Sequence, residues 1–141
     1  MGALTKQLLN VFKLRIGVVI AFTALTGLAV TPGPQVPIWK IAVIGLAVLL
    51  SAAAAGAFNQ YIERDLDLKM ARTQRRPFVT GALAHGPVWL WMIGVMVLGS
   101  TLAAAWAINV LAALYVFLGA FFYAVVYTVW LKRRTWLNIV V

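Results

Sequence analysis

No cysteine occurs anywhere in the 141 residues, and only three residues are acidic. The first absence excludes a disulfide-stapled scaffold and any thiolate chemistry. It says nothing about redox compartment. The second is part of a general shortage of charge: Asp, Glu, Lys and Arg make up 11% of the chain, against about 25% in a soluble domain. Hydrophobic residues reach 64%, more apolar surface than a soluble domain of this size could hide. Soluble enzymes, disordered tails and collagen-like chains are excluded together, and an integral membrane protein is left. The net charge of +9 resembles a nucleic-acid signature. The basic residues, however, stand in clusters beside apolar runs, as they do where a membrane protein marks its cytoplasmic side. The expected partner is the lipid bilayer, with no nucleic acid.

Four long apolar runs are present, at about 14–31, 38–58, 88–107 and 110–131. A helical span needs about 20 mostly apolar residues. The last three runs qualify outright. The first core, Ile16–Val30, is short, but Phe12 and Leu14 with snorkelling Lys13 and Arg15 extend it. Because an isolated strand cannot satisfy its backbone in lipid, the spans are read as helices. The fold class is therefore all-α, a polytopic membrane helical bundle. A basic start followed by an apolar core also has the form of a secretory signal peptide, and this alternative stays open for the first run. The small-residue stretch Ser51–Ala57 (SAAAAGA) lets helix backbones approach closely. It places the second span centrally and leaves its small-residue face for partners further along the chain.

The connections set a topology. Thr31–Pro37 and the link near Ala107–Asn109 carry no charge. The 59–87 segment carries more than half of the charged residues, and Lys132, Arg133 and Arg134 follow the fourth run. The positive-inside rule puts the N-terminus, the 59–87 loop and the 132–134 cluster in the cytoplasm, with Lys40 the one exception. Thr135–Val141 reads as the opening of a fifth span, so the chain is expected to be the first half of a larger protein.

All three acids, Glu63, Asp65 and Asp67, lie within five residues. Read as a helix continuing the second span, Asn59, Glu63 and Asp67 fall at i, i+4 and i+8 on one face, and Asp65 points away. Oxygen ligands in a row suit Mg²⁺, which takes one or two carboxylates and completes its shell with water and substrate phosphate. The following Lys69, Arg72, Arg75 and Arg76 suit that phosphate. An ordinary solvated loop is the competing reading, with Asp65 and Lys69 as a helix-stabilising i, i+4 pair. His85, the only histidine, reads either as a haem ligand or as a solvated loop residue.

The stretch Asn59-Gln-Tyr-Ile-Glu-Arg-Asp-Leu-Asp67, continued by Arg72-Thr73 and Arg76-Pro77, resembles the first aspartate-rich motif of the UbiA superfamily of intramembrane prenyltransferases, N-x-x-x-D-x-x-x-D followed by R-T-x-x-R-P. The spacing of Asp65, Asp67, Met70, Arg72 and Thr73 is similar to the branch that farnesylates protohaem IX. So are Leu4-Thr-Lys6, Phe12-Lys-Leu-Arg15-Ile and Thr23-Ala-Leu-Thr-Gly27 near the start, and Tyr127–Ile139 near the end. Glu63 stands where the family has Asp, Leu14 replaces the proline of the opening motif, and the second aspartate-rich motif would lie past Val141.

The resemblance implies transfer of a farnesyl group from farnesyl diphosphate to a vinyl group of haem B, giving haem O. It implies Mg²⁺ as cofactor, held by Asn59, Glu63 and Asp67. Arg72, Arg76 and Lys132 would face the diphosphate, with Arg64, Lys69 and Arg133 in supporting positions. Glu63, Asp67 and Tyr127 would form the catalytic set, Tyr127 lining the pocket near the reacting carbon or else serving as an interfacial aromatic. A bacterial inner-membrane location follows, with haem A synthase or terminal-oxidase assembly machinery as further partners. One acidic motif grips a metal from one side only, so the chain alone is expected not to turn over. Two alternatives are another prenyltransferase, acting on 4-hydroxybenzoate or a chlorin, and a non-enzymatic membrane subunit or assembly factor.

Overall fold

The computed structural model describes residues 2–134. The expected segment Thr135–Val141 lies outside the described residues. Within them all regular structure is helical, with no strand: α1 (Ala3–Val11), α2 (Leu14–Val30), α3 (Ile38–Ile62), α4 (Arg64–Asp67), α5 (Pro77–Thr80), α6 (Val88–Ala107), α7 (Val110–Phe121), a π-helical continuation Phe122–Leu131, and a last turn α8 (Lys132–Arg134). Three helical stretches are long and apolar enough to cross a membrane: Ile38–Ile62, Val88–Ala107 and Val110–Arg134. The α1–α2 pair makes a fourth if taken as one span bent by 48°.

Proline and asparagine place the helix starts. Pro37 precedes α3, where a missing N–H costs nothing. Asn109 caps α7 by accepting a hydrogen bond from Ala112 N at 2.8 Å. Helix α3 is the central element, packed against α2, α6, α7 and the π segment. Its small residues permit this: Ser51 and Ala53 through Ala57 are buried. That corrects the expectation that this face waits for later partners, because α2, α6 and α7 already cover most of it. Large apolar side chains point outward instead. Trp91, Trp106, Val110 and Ile38 are mostly exposed, as lipid-facing residues must be.

Two glycines set close approaches. A Cβ on Gly17 would lie 3.0 Å from Leu49 Cδ1 on α3. A Cβ on Gly56 would lie 3.4 Å from Lys13 Cβ, Lys13 Cδ and the Phe12 carbonyl, so Gly56 is the seat on which the α1–α2 bend rests. Gly56→Val is expected to overpack this seat and cost about 1–3 kcal/mol. Gly94→Ala, whose added Cβ meets nothing within 4 Å, serves as the neutral control. Unfolding of both variants in detergent checks the difference; equal transitions would contradict the seating role.

Three boundaries differ from expectation. The first span is preceded by its own bent helix, because Phe12 and Lys13 leave the helical path. Helix α3 overruns the second apolar run to Ile62 and then breaks at Glu63, so the acidic stretch does not continue it as one helix. The fourth span widens into π turns from Phe122.

Candidate functional site at the charged end of the bundle

The break at Glu63 does not scatter the acidic face. Glu63 N donates to Asn59 O at 3.0 Å, and Asp67 N donates to Glu63 O at 2.8 Å. The one-turn spacing of Asn59, Glu63 and Asp67 therefore survives, and all three are buried, at 2%, 0% and 2% exposure. Asp65 turns to the surface. Its carboxylate accepts from Arg133 Nη2 at 3.0 Å, and the same nitrogen donates to Ile62 O. The Asp65–Lys69 pair of the competing solvated-loop reading is replaced by this one, because the helix ends at Asp67 with Leu68 as its cap. Desolvation pushes the Asp65 carboxyl upward, but the hydrogen bond and charge of Arg133, with the backbone amides of Asp65 and Leu66, together hold it below its ordinary value. This surface tie is therefore present at neutral pH and lost as acid protonates Asp65.

Three cations gather at the Asn59–Glu63–Asp67 face from three directions, two of them on the acids and one on the amide. Arg76, delivered by the turn before α5, donates to Asp67 Oδ1 at 2.9 Å and Oδ2 at 2.7 Å, and lies 4.0 Å from Glu63 Oε2. Thr73 braces that turn by donating to Asp67 O at 3.0 Å. Lys132, at the end of the π segment, sits 2.8 Å from Glu63 Oε2. Lys13, in the α1–α2 break, donates to Asn59 Oδ1 at 2.8 Å and to the Tyr123 hydroxyl at 3.0 Å. The amide of Asn59 is fixed from its other side, Nδ2 donating to Thr128 Oγ1 at 3.2 Å. Two carboxylates thus face three cations, a surplus of one positive charge in a largely buried place.

The remaining expected residues are less central. Arg72, Lys69 and Arg64 are exposed, and no ion pair among the described residues joins them to the acids. Tyr127 stacks on Tyr123, ring centroids 5.4 Å apart and 11° between planes, with Lys132 Nζ 5.9 Å from its ring. His85 stacks on Tyr61 at 3.9 Å and pairs through Nε2 with Tyr61 O at 3.0 Å. It is an exposed loop residue, as the solvated-loop reading has it, and these contacts lay the end of the 59–87 segment against α3.

Lys13, Tyr123 and Thr128 join the site although the sequence pattern does not single them out. Lys13 points inward, opposite to the snorkelling course expected of it. Tyr123 and Thr128 carry no signal at α-helical spacing, since π turns bring residues four and five apart onto one face. Such turns are frequent at functional sites.

An apolar cavity of about 530 Å³ begins at Lys13 and Tyr123 and runs between α2, α3 and α7, past Gly56, Ser51, Val48 and Ile20 to Ala24. Its volume lies within the range of about 300–1,000 Å³ usual for small-molecule sites.

The donor set fits Mg²⁺. Glu63 Oε1 is buried and accepts no hydrogen bond among the described residues, an open lone pair where a hard cation fits. Asp67 and the Asn59 amide add oxygens one turn away on either side. Among the described residues no three His, Cys, Asp or Glu side chains gather to hold a metal by themselves.

A buried acid–base cluster at one end of a helical membrane bundle, opening on an apolar groove, defines an intramembrane protein. The chain belongs to the UbiA prenyltransferase family, whose pattern matches residues 20–141. It is 54% identical over 141 residues to protoheme IX farnesyltransferase 2 of Paramagnetospirillum magneticum, covering all of this chain and 49% of that protein. It is 41% identical over 136 residues to protoheme IX farnesyltransferase 1 of the same organism, covering 96% of this chain and 47% of that protein. Protoheme IX farnesyltransferase of Caldivirga maquilingensis is 38% identical over 135 residues, covering 96% and 48%. The chain spans about half the length of the curated relatives it matches. No solved structure matches it.

Proposed function

We propose that residues 1–141 are part of one prenyltransferase domain that moves a farnesyl group from farnesyl diphosphate to a vinyl group of haem B. The observation that carries this reading is the junction at Lys13 and Tyr123, where the acid–base cluster meets the apolar groove. A diphosphate fits the cluster and a prenyl tail fits the groove. The names of the relatives support the haem acceptor over 4-hydroxybenzoate or a chlorin.

In this reading Arg76 and Lys132 hold the diphosphate through charge-assisted hydrogen bonds, and the outer Arg72, Arg64, Lys69 and Arg133 attract it. Glu63 and Asp67, with the Asn59 amide oxygen, would hold Mg²⁺, which would supply positive charge for a departing diphosphate. The C1–O bond of farnesyl diphosphate breaks and the allylic cation forms at the groove mouth. The stacked faces of Tyr123 and Tyr127 shelter it, since aromatic faces attract cations. The vinyl carbon then bonds to C1, water adds to the resulting haem-side cation, and a proton is released. The groove's apolar walls keep water from the allylic cation before the vinyl group arrives.

The basic end, where Lys13, Arg76, Lys132 and Arg133 gather, faces the cytoplasm of a bacterial inner membrane by the positive-inside rule. The test is direct. Membranes containing the intact protein that carries this chain, given haem B, farnesyl diphosphate and Mg²⁺, should produce haem O by chromatography. Prenylated 4-hydroxybenzoate with unmodified haem would overturn the acceptor assignment.

A further inference from the structure

Lys13 is the only non-glycine residue with positive φ among the described residues, at φ 46° and ψ 41°. A side chain with a Cβ is disfavoured there, and such strain persists only where surrounding structure enforces it. The enforcing contacts are visible: Lys13 lies against Gly56, and its ammonium donates to Asn59 Oδ1 and Tyr123. A lysine at the end of a span has a cheaper course, extending outward to the headgroups. This one is bent inward instead. Among the described residues it is the only charged one lining the apolar cavity, and it also reaches Asn59. An ammonium has three donors, and two are used.

We propose that Lys13 is a diphosphate-binding residue and a placeholder for the metal. Its ammonium covers the Asn59 amide oxygen; by moving to a phosphate oxygen of a bound diphosphate it would release Asn59 as an oxygen ligand. The inference rests on the diphosphate reading above and extends it. The chemistry demands an exchange of this kind, because one amide oxygen pointed at an ammonium is not free to face a divalent cation, and two positive charges side by side repel. A diphosphate between them removes the conflict. Arg76 and Lys132 remain near their carboxylates, so Lys13, whose hydrogen-bond partners are both neutral, is the cation freest to transfer.

The test uses the intact protein in detergent, with Lys13→Met and Lys13→Gln, inorganic diphosphate with Mg²⁺ as one probe, and Mn²⁺ alone, followed by its electron-spin signal, as the other. Lys13→Gln keeps a donor for Asn59 and Tyr123 and guards against a folding failure. Both variants should bind diphosphate about ten- to hundredfold more weakly, the range set by losing a charged hydrogen bond. Both should bind Mn²⁺ alone more tightly than wild type, because a competitor and a repelling charge are gone. A merely structural lysine would weaken both probes, and that result overturns the proposal. So does unchanged diphosphate affinity in variants that fold. Wild-type protein that binds no diphosphate would overturn the diphosphate reading itself, and this inference with it.

Discussion

Asp67→Asn in the intact protein is expected to lower farnesyl transfer by about a thousandfold while membrane insertion stays intact. Asp67 is 2% exposed and binds Arg76 through both oxygens. Asparagine has the same size and removes one of the two buried charges proposed to hold the metal. Metal stabilisation of a leaving group is worth several kcal/mol, and each 1.36 kcal/mol is tenfold in rate. Asp65→Asn is the matched control two residues away. Its carboxylate is 62% exposed and paired with a half-exposed Arg133, a contact of the kind worth about 0–1 kcal/mol. Activity there should stay within about fivefold of wild type. Haem O formation and membrane fractionation measure both variants. Equal, mild losses at the two positions would favour a solvated loop.

The second large effect concerns stability. Arg76→Ala should destabilise the protein by about 3–5 kcal/mol, the cost of breaking a buried pair and leaving a charge without its partner. Asp67 would be left with none of its present ion pairs and Glu63 with Lys132 alone. If the stranded carboxylate is the cause, Asp67→Asn in the Arg76→Ala background should restore more than half of the loss, a coupling that independent sites do not show. Thermal unfolding of the four proteins in detergent closes the cycle. Additive losses would mean that Arg76 acts through some other contact.

Much of this architecture was legible in the residues because membrane insertion depends on length, apolarity and charge position. The 38–58 and 88–107 runs and the SAAAAGA stretch translate directly into α3, α6 and the close packing at the centre. The spacing of Asn59, Glu63 and Asp67 was legible because i→i−4 hydrogen bonds persist across the break at Glu63. What was hidden depends on deviations from the α-helix. The left-handed turn at Lys13 reverses the direction expected of a terminal lysine. The π turns from Phe122 move Tyr123 and Thr128 onto the face of Asn59, where a 3.6-residue period does not put them. The Asp65–Lys69 pair failed for a related reason: helix α4 is a single turn, and Lys69 lies beyond its end.

The central claim is that the buried acid–base cluster is built for a metal-bound prenyl diphosphate. Amide hydrogen exchange of the intact protein tests it most directly, with and without farnesyl diphosphate and Mg²⁺. The account predicts slower exchange across residues 59–80 and around Lys13 when both are added, and no such protection from farnesol with Mg²⁺, which supplies the tail without the charge. Equal protection by farnesol, or none with farnesyl diphosphate and Mg²⁺, would contradict it.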